Sequence, residues 1–216
     1  MINMNLLKNE WESRQIPHSM GKGFVEEYHY GRGCSNTGKC FGLFYKGDRK
    51  TLHGVAMWQP PAYGAALSAH PSYPAGVCSL SRFCLRDDRP SNAGSFLISK
   101  SIKMLRKDSG EEYQMLLTYA DLACNHEGII YRASNWIYNG LTKPRWVYWM
   151  EEDGKMRMKS RKSGPKTYTH QEMIDMGCEV SDKKYPMHKF LYPTSRKKRG
   201  GNQCLGYTKE GKIVIN

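Results

Sequence analysis

The sequence predicts an α+β domain, a three-layer α/β arrangement in which helices cover a mixed sheet. Three observations carry this. Residues 40–60, "CFGLFYKGDRKTLHGVAMWQP", hold two β-rich runs joined at Lys46-Gly47-Asp48, which reads as a hairpin. Residues 113–121, "YQMLLTYAD", are apolar almost throughout, as a central strand covered on both faces would be. Between these two, a strand, a loop and an amphipathic helix follow one another, an order that bundles and sandwiches lack.

Each element has its own signal. Residues 16–30 read as a helix or helix pair broken near Gly21–Gly23, leading into the glycine-rich loop "GRGCSNTGKC". Pro60-Pro61 stops the hairpin, and residues 66–76 are turn-rich. Residues 77–87 alternate as a strand, with Val77, Ser79, Ser81 and Phe83 opposing Cys78, Leu80, Arg82 and Cys84. After the loop "DRPSNAG", residues 95–108 form an amphipathic helix with Phe96, Ile98, Ile102 and Leu105 inward. "EGIIYRASNW" is a short helix, "RWVYWME" (145–151) a strand, and Gly154-Lys155 a turn into "MRMKSRK". Thr169 and Glu172 match a capping box opening "HQEMIDMG", which Gly177 closes. The tail "KYPMHKFLYPTSRKKRGG" reads as one short strand plus a basic extension. A chain of 216 residues fits one domain, with a core over about 16–150 and a basic elaboration over about 151–216.

The net charge of +13 is unevenly placed. From Leu141 onward there are 17 Lys/Arg against 8 Asp/Glu, and before it only 16 against 12. Such asymmetry fits a nearly neutral body with a basic face for a polyanion, although a charged surface also serves solubility alone. Seven cysteines in odd number and without a CxxC pair argue against a disulfide framework or zinc ribbon and fit a reducing cytoplasm. The first residues, "MINMNLLKNEWESR", lack the basic-then-apolar pattern of a signal peptide, and no apolar run is long enough to span a bilayer. The expectation is a soluble intracellular protein without membrane contact.

Two junctions invite chemistry. At "CLRDDRPSNAGSFLIS", a helix start with small residues presents unpaired N–H groups that suit a phosphate, while Asn92 or Ser95 could equally be a simple cap. At "YADLACNHEGIIYRASNW", Asp121 falls where the central strand ends, the edge at which α/β sites gather, and Tyr131 follows on the next helix. Capping of that helix is the plain alternative for Asp121. His126 carries no assigned role and reads as a surface residue. Arg82 interrupts an apolar strand face, so it demands an anionic partner, either Asp121 on the adjacent strand or a bound anion.

The stretch "LLTYADLACNHEGIIYRASNWIYNG" resembles the signature of the phage Mom proteins, which modify adenines in phage DNA. "EYHYGRG", "SLSRFCL", "SNAGSFLISKSI" and "HKFLYPTSRKKR" follow in the family's order, so the resemblance runs from about Val25 to Arg199. It implies a GCN5-related N-acyltransferase fold: a mixed, mostly antiparallel sheet whose central strands splay apart in a V around a cofactor arm. The cofactor pyrophosphate would lie on the loop Arg89-Pro90-Ser91-Asn92-Ala93-Gly94. Arg89 and Gly94 fit its pattern, and Asn92 replaces the first glycine in a position where Asn tolerates a left-handed backbone. The resemblance further implies conversion of adenine to N6-(carbamoylmethyl)adenine in double-stranded DNA, protecting phage DNA from restriction in the host cytoplasm. The donor would be acetyl-CoA or another acyl or glycyl donor. The family's functional positions map onto His29, Tyr30, Arg82, Ser95, Asp121 and Tyr131. Arg89, Asn92, Gly94 and Ser95 would bind the cofactor. His29, Tyr30 and Asp121 are candidate iron ligands, an imidazole, a phenolate and a carboxylate that suit that ion. Tyr131 lies where acyltransferases of this fold place a tyrosine that protonates the leaving thiolate. A homodimer is left open.

An adenine inside a duplex must be extruded before its N6 reaches a buried centre. Phosphate contacts are expected from Lys189, Arg196, Lys197, Lys198 and Arg199, interleaved with Phe190 and Tyr192, and from Lys155, Arg157, Lys159, Arg161 and Lys162. Trp136, Trp146 and Trp149 are candidate stacking partners, with core packing the alternative. Two other readings stay open: a coenzyme A-dependent N-acetyltransferase acting on a small amine or protein, and a non-catalytic DNA-binding protein.

Overall fold

A computed structural model describes residues 6–31, 33–34, 38–109 and 113–194, and the backbone of two further strands. The strands of the main sheet are β1 (Trp11–Ile16), β2 (Lys39–Tyr45), β3 (Asp48–Gln59), β4 (Val77–Leu85), β5 (Met115–Asp121), β6 (Ile137–Leu141) and β12 (Met187–Pro193). Their spatial order is β1-β2-β3-β4-β5-β12-β6. Every neighbouring pair is antiparallel except β4 and β5. The expected mixed, mostly antiparallel sheet is what the chain forms.

The alternation of side chains along each strand divides the sheet into two covered faces. On one face α1 (His18–Tyr28) and α2 (Tyr63–Ala69) pack over Cys40, Val55, Met57, Val77, Met115 and Leu117. On the other, α3 (Ala93–Ser109) and α4 (Ile129–Ala133) cover Phe41, Ala56, Trp58, Leu116, Ala120 and Phe190. Leu116 and Leu117 are both fully buried, which explains the unbroken apolar reading of this segment. Each such leucine contributes about 1.5–3 kcal/mol through burial.

β4 and β5 pair only at Val77–Met115, Cys78–Leu116 and Ser79–Leu117, although β4 continues to Leu85 and β5 to Asp121. Beyond Ser79 the strands part in the expected V. Thr118 Oγ1 reaches across the fork and donates to the Leu80 carbonyl at 3.2 Å.

A smaller sheet, β11-β7-β8, stands beside the splay, built from β7 (Tyr148–Glu152), β8 (Lys155–Lys159) and β11 (Glu179–Val180). With α5 (His170–Asp175) it closes over Tyr148, Met173 and Cys178. The capping box at Thr169–Glu172 is formed, with reciprocal bonds of 3.2 and 2.7 Å. Gly177 takes φ +83°, the left-handed helix end that its glycine permits. Two-residue strands β9 (Lys162–Ser163) and β10 (Lys166–Thr167) form a second hairpin. The last two strands are β13 (Leu205–Tyr207) and β14 (Ile213–Ile215).

Several expectations need correction. Helix α1 runs unbroken through Gly21 and Gly23. Gly21 lies against β2, where an added Cβ would meet Cys40 Sγ at 3.2 Å, so this glycine permits close packing. Residues 66–76 are partly helical, since α2 and a single 3-10 turn occupy them. Strands β1 and β6 were not foreseen. The main sheet also extends beyond residue 150, because β12 lies between β5 and β6. Among the described residues no helix is long and apolar enough to cross a membrane.

Candidate functional site

The splay opens a cavity of about 470 Å³, lined by Leu80, Phe83 and Leu85 of β4, by Tyr119 and Ala120 of β5, and by Tyr131 of α4. A broader cleft of about 1250 Å³ lies between the main sheet and the smaller one. The two share the walls His29, Tyr30, Leu80, Ser81 and Tyr119. They meet at the corner where α1 ends.

His29 follows the last turn of α1 and is 8% exposed. Its Nδ1 is 3.0 Å from both the amide nitrogen and the carbonyl oxygen of Gly31. Burial, reinforced by the charge of Arg82, lowers its pKa from 6.5 to about 4, so the imidazole is neutral at physiological pH. Its ring stacks on Tyr30 at 4.2 Å, and Tyr30 in turn meets His126 edge-on at 5.4 Å. Burial raises the Tyr30 pKa, with the charges of Cys124 and Asp121 adding to it, and the phenol keeps its proton. His126 is solvent-exposed as expected, yet its ring packs on this corner.

Asp121 is 4% exposed at the tip of β5. Its Oδ1 accepts from the Ala123 N–H at 3.1 Å, so the capping alternative is realised for the 3-10 turn that follows. Its Oδ2 pairs with Arg145 Nη2. Arg145 was missed in the sequence, because it lies in an irregular segment joined to Tyr185 by a single bridge. Arg82 does not meet Asp121. Its guanidinium donates to the carbonyls of Gly33 and Ser81, both at 2.7 Å, since the strands have already parted at this level. Tyr131 is buried among Trp136 and Phe190, and burial raises its pKa.

The corner does not fit a metal ion. The Asp121 carboxylate already holds a guanidinium and a backbone N–H. A cation would have to displace Arg145. Among the described residues, no three His, Cys, Asp or Glu side chains gather in a metal-holding group.

At the other junction, Asn92 adopts φ +65°, the left-handed backbone expected for it. Ser95 Oγ donates to the Asn92 carbonyl at 3.1 Å and acts within the helix start. Gly94 lies under α4, where a Cβ would approach Ile130 Cδ1 to 2.2 Å. Of this loop, Arg89 reaches the splay cavity wall, whereas Asn92, Gly94 and Ser95 line neither cavity.

The basic residues sort by burial. Arg82, Arg145, Lys159, Arg161, Lys162 and Lys184 line the cleft, against Asp121 and Glu152, which are paired with Arg145 and Lys159. Lys155 and Lys162 are exposed. Two expected phosphate contacts are instead interior. Arg157 is 5% exposed and donates to carbonyls at the end of α1. Lys189 is 7% exposed and donates to the Ser68 carbonyl at 2.9 Å, and burial lowers its pKa to about 8. Arg196, Lys197, Lys198 and Arg199 lie outside the described residues. Trp136 belongs to the core, and Trp146 is the tryptophan lining the cleft.

The architecture is that of the GCN5-related N-acyltransferases. The ribosomal-protein-S18-alanine N-acetyltransferase from Escherichia coli superposes with a TM-score of 0.52 at 12% identity, over 89% of this chain and 97% of that one. An N-acetyltransferase from Staphylococcus aureus Mu50 superposes with a TM-score of 0.47 at 14% identity, over 85% and 97%. At such identity the first of these speaks for the fold alone. No curated protein sequence matches the chain. The model of the Mom protein family matches residues 10–209, nearly the whole length with the corner, the splay and both junctions inside it, and the chain belongs to that family.

Proposed function

We propose that the protein is a transferase that converts adenine in double-stranded DNA to N6-(carbamoylmethyl)adenine. The observation that carries this is the meeting of two differently built spaces at His29 and Tyr30. One is the smaller cavity in the splay, with Leu80, Phe83, Leu85, Ala120 and Ile130 among its walls, suited to a donor's arm. The other is a wide, cationic cleft suited to a base and its phosphates. The reaction itself is taken from the motif resemblance.

Adenine N6 is a poor nucleophile, because its lone pair is delocalised into the ring. As a bond forms from N6 to the incoming carbon, N6 must lose a proton. The neutral imidazole of His29 is the acceptor at that corner. Tyr131, held protonated by burial, is the donor for a leaving group at the cavity side. Asp121 and Arg145 form a fixed dipole at the cleft side that orients the purine. The cleft cations hold the flanking phosphates while the base is extruded. The splay would hold a donor that carries the CH2–C(O)NH2 unit on a leaving group, which departs with the proton from Tyr131. Acetyl-CoA, lacking the amide nitrogen, belongs only to the acetyltransferase reading.

Mass spectrometry of nucleosides from cells expressing the protein tests this directly. The expected product is a carbamoylmethylated deoxyadenosine, lost on His29→Asn or Asp121→Asn. Unmodified adenine in the presence of folded protein would overturn the proposal. An acetylated amine elsewhere in the cell would point to a coenzyme A-dependent acetyltransferase.

A further inference from the structure

The end of α1 is fastened by a residue far from it in sequence. Arg157, in the middle of β8, donates from Nη1 to the His29 carbonyl at 2.9 Å and from Nη2 to the Glu27 carbonyl at 3.4 Å. The next residue continues the attachment, since the Met158 N–H donates to the Tyr30 carbonyl at 3.0 Å. Helix α1 has no basic residue in its last turn, so its own sequence sets nothing against the negative end of its macrodipole. Arg157 supplies that charge from inside the protein.

The placement is costly for simple capping. A capping lysine or arginine usually keeps its head in water. Here the guanidinium is buried, no ion pair is formed by it among the described residues, and its Nε has no hydrogen-bond partner. What the arrangement gains is geometry. The planar fork holds two carbonyls at fixed spacing, which a single ammonium cannot do. Those carbonyls belong to the turn that presents the stacked rings of His29 and Tyr30. The same strand leads through Lys159 into Arg161 and Lys162 at the cleft wall.

We infer that Arg157 is a positioning residue: from β8 it sets the place of the His29–Tyr30 corner and keeps it in register with the basic hairpin. This rests on reading that corner as the reaction centre. It touches neither substrate nor donor in this role and acts through the backbone of α1.

The test uses Arg157→Lys and Arg157→Gln in the full chain, with three readouts. The ring resonances of His29, followed by NMR at fixed pH, should move in both variants, because the carbonyl bearing that ring is released. Thermal unfolding should remain cooperative. The rate of adenine modification should fall in kcat by about tenfold to a hundredfold, as expected for misplacement of a reacting group, while the half-saturating DNA concentration stays within about twofold. Unmoved His29 resonances, or a fall confined to KM, would overturn the inference. Loss of cooperative folding in both variants would assign Arg157 to stability alone and also overturn it. Wild-type protein that leaves adenine unmodified would refute the functional reading and not this one, which the His29 resonances decide separately.

Discussion

Protonation of His29 should weaken the fold by an amount the structure allows to be worked out. The imidazole is almost fully buried, and burial together with Arg82 lowers its pKa from 6.5 to about 4. A histidine with a depressed folded value binds fewer protons folded than unfolded. Acid therefore favours the unfolded chain. The stability at stake is intact above about pH 6.5 and drains away as pH falls to about 4. At about 1.4 kcal/mol per pH unit, that interval corresponds to roughly 3 kcal/mol at pH 4. His53 and His126 are also lowered by burial, so the absolute slope is shared. The comparison is with His29→Asn, whose side-chain oxygen can take the place of Nδ1 beside Gly31 without titrating. Urea unfolding of both proteins between pH 7 and pH 4 should show the wild type losing about 3 kcal/mol more than the variant. Parallel losses in the two proteins would refute the buried, neutral imidazole and, with it, the proton acceptor of the proposed mechanism.

Three further outcomes are expected. Gly128 precedes α4 at φ +72°, and a Cβ there would lie 2.3 Å from the Phe190 ring, so Gly128→Ala should lower stability by about 2–4 kcal/mol in chemical denaturation. Asp121→Asn should leave the Arg145 guanidinium without its carboxylate, lowering stability by about 1–3 kcal/mol and abolishing adenine modification in the nucleoside assay. Lys162→Gln should reduce the slope of log affinity against log salt for duplex DNA by about 0.9, whereas Lys189→Met, removing a buried cation, should leave it unchanged in fluorescence titrations.

What could be read from sequence divides along physical lines. The hairpin at Gly47, the alternating strand from Val77, the buried strand ending at Asp121 and the capping box at Thr169 were legible because each is set by local spacing. Strand β1, "WESRQI", escaped because it is an edge strand, paired only with β2 and largely open to solvent. Strand β6 is the opposite edge and fails for the same reason. Helix α2 is short and has no side-chain cap, so its alanines gave no boundary signal. In the candidate site, Asp121 and Tyr131 were marked by the strand end and the helix after it, His29 and Tyr30 only by the motif resemblance, and all four line the two cavities. Arg145 could not have been found, since its partnership with Asp121 spans 24 residues and no local pattern. The burial of Arg157 and Lys189 was equally hidden. A count of cations records charge, and only tertiary packing decides which of them reach water.

The position of β12 governs how this molecule can come into being. It enters between β5 and β6 and pairs along its length with β5, from Met187–Asp121 to Pro193–Met115. Until that strand emerges from the ribosome, the acid-bearing strand lacks one neighbour and the edge strand has none in the main sheet. A nascent chain released short of residue 193 would therefore leave an unzipped ladder open to stray partners, and no truncated but working catalyst should arise from it.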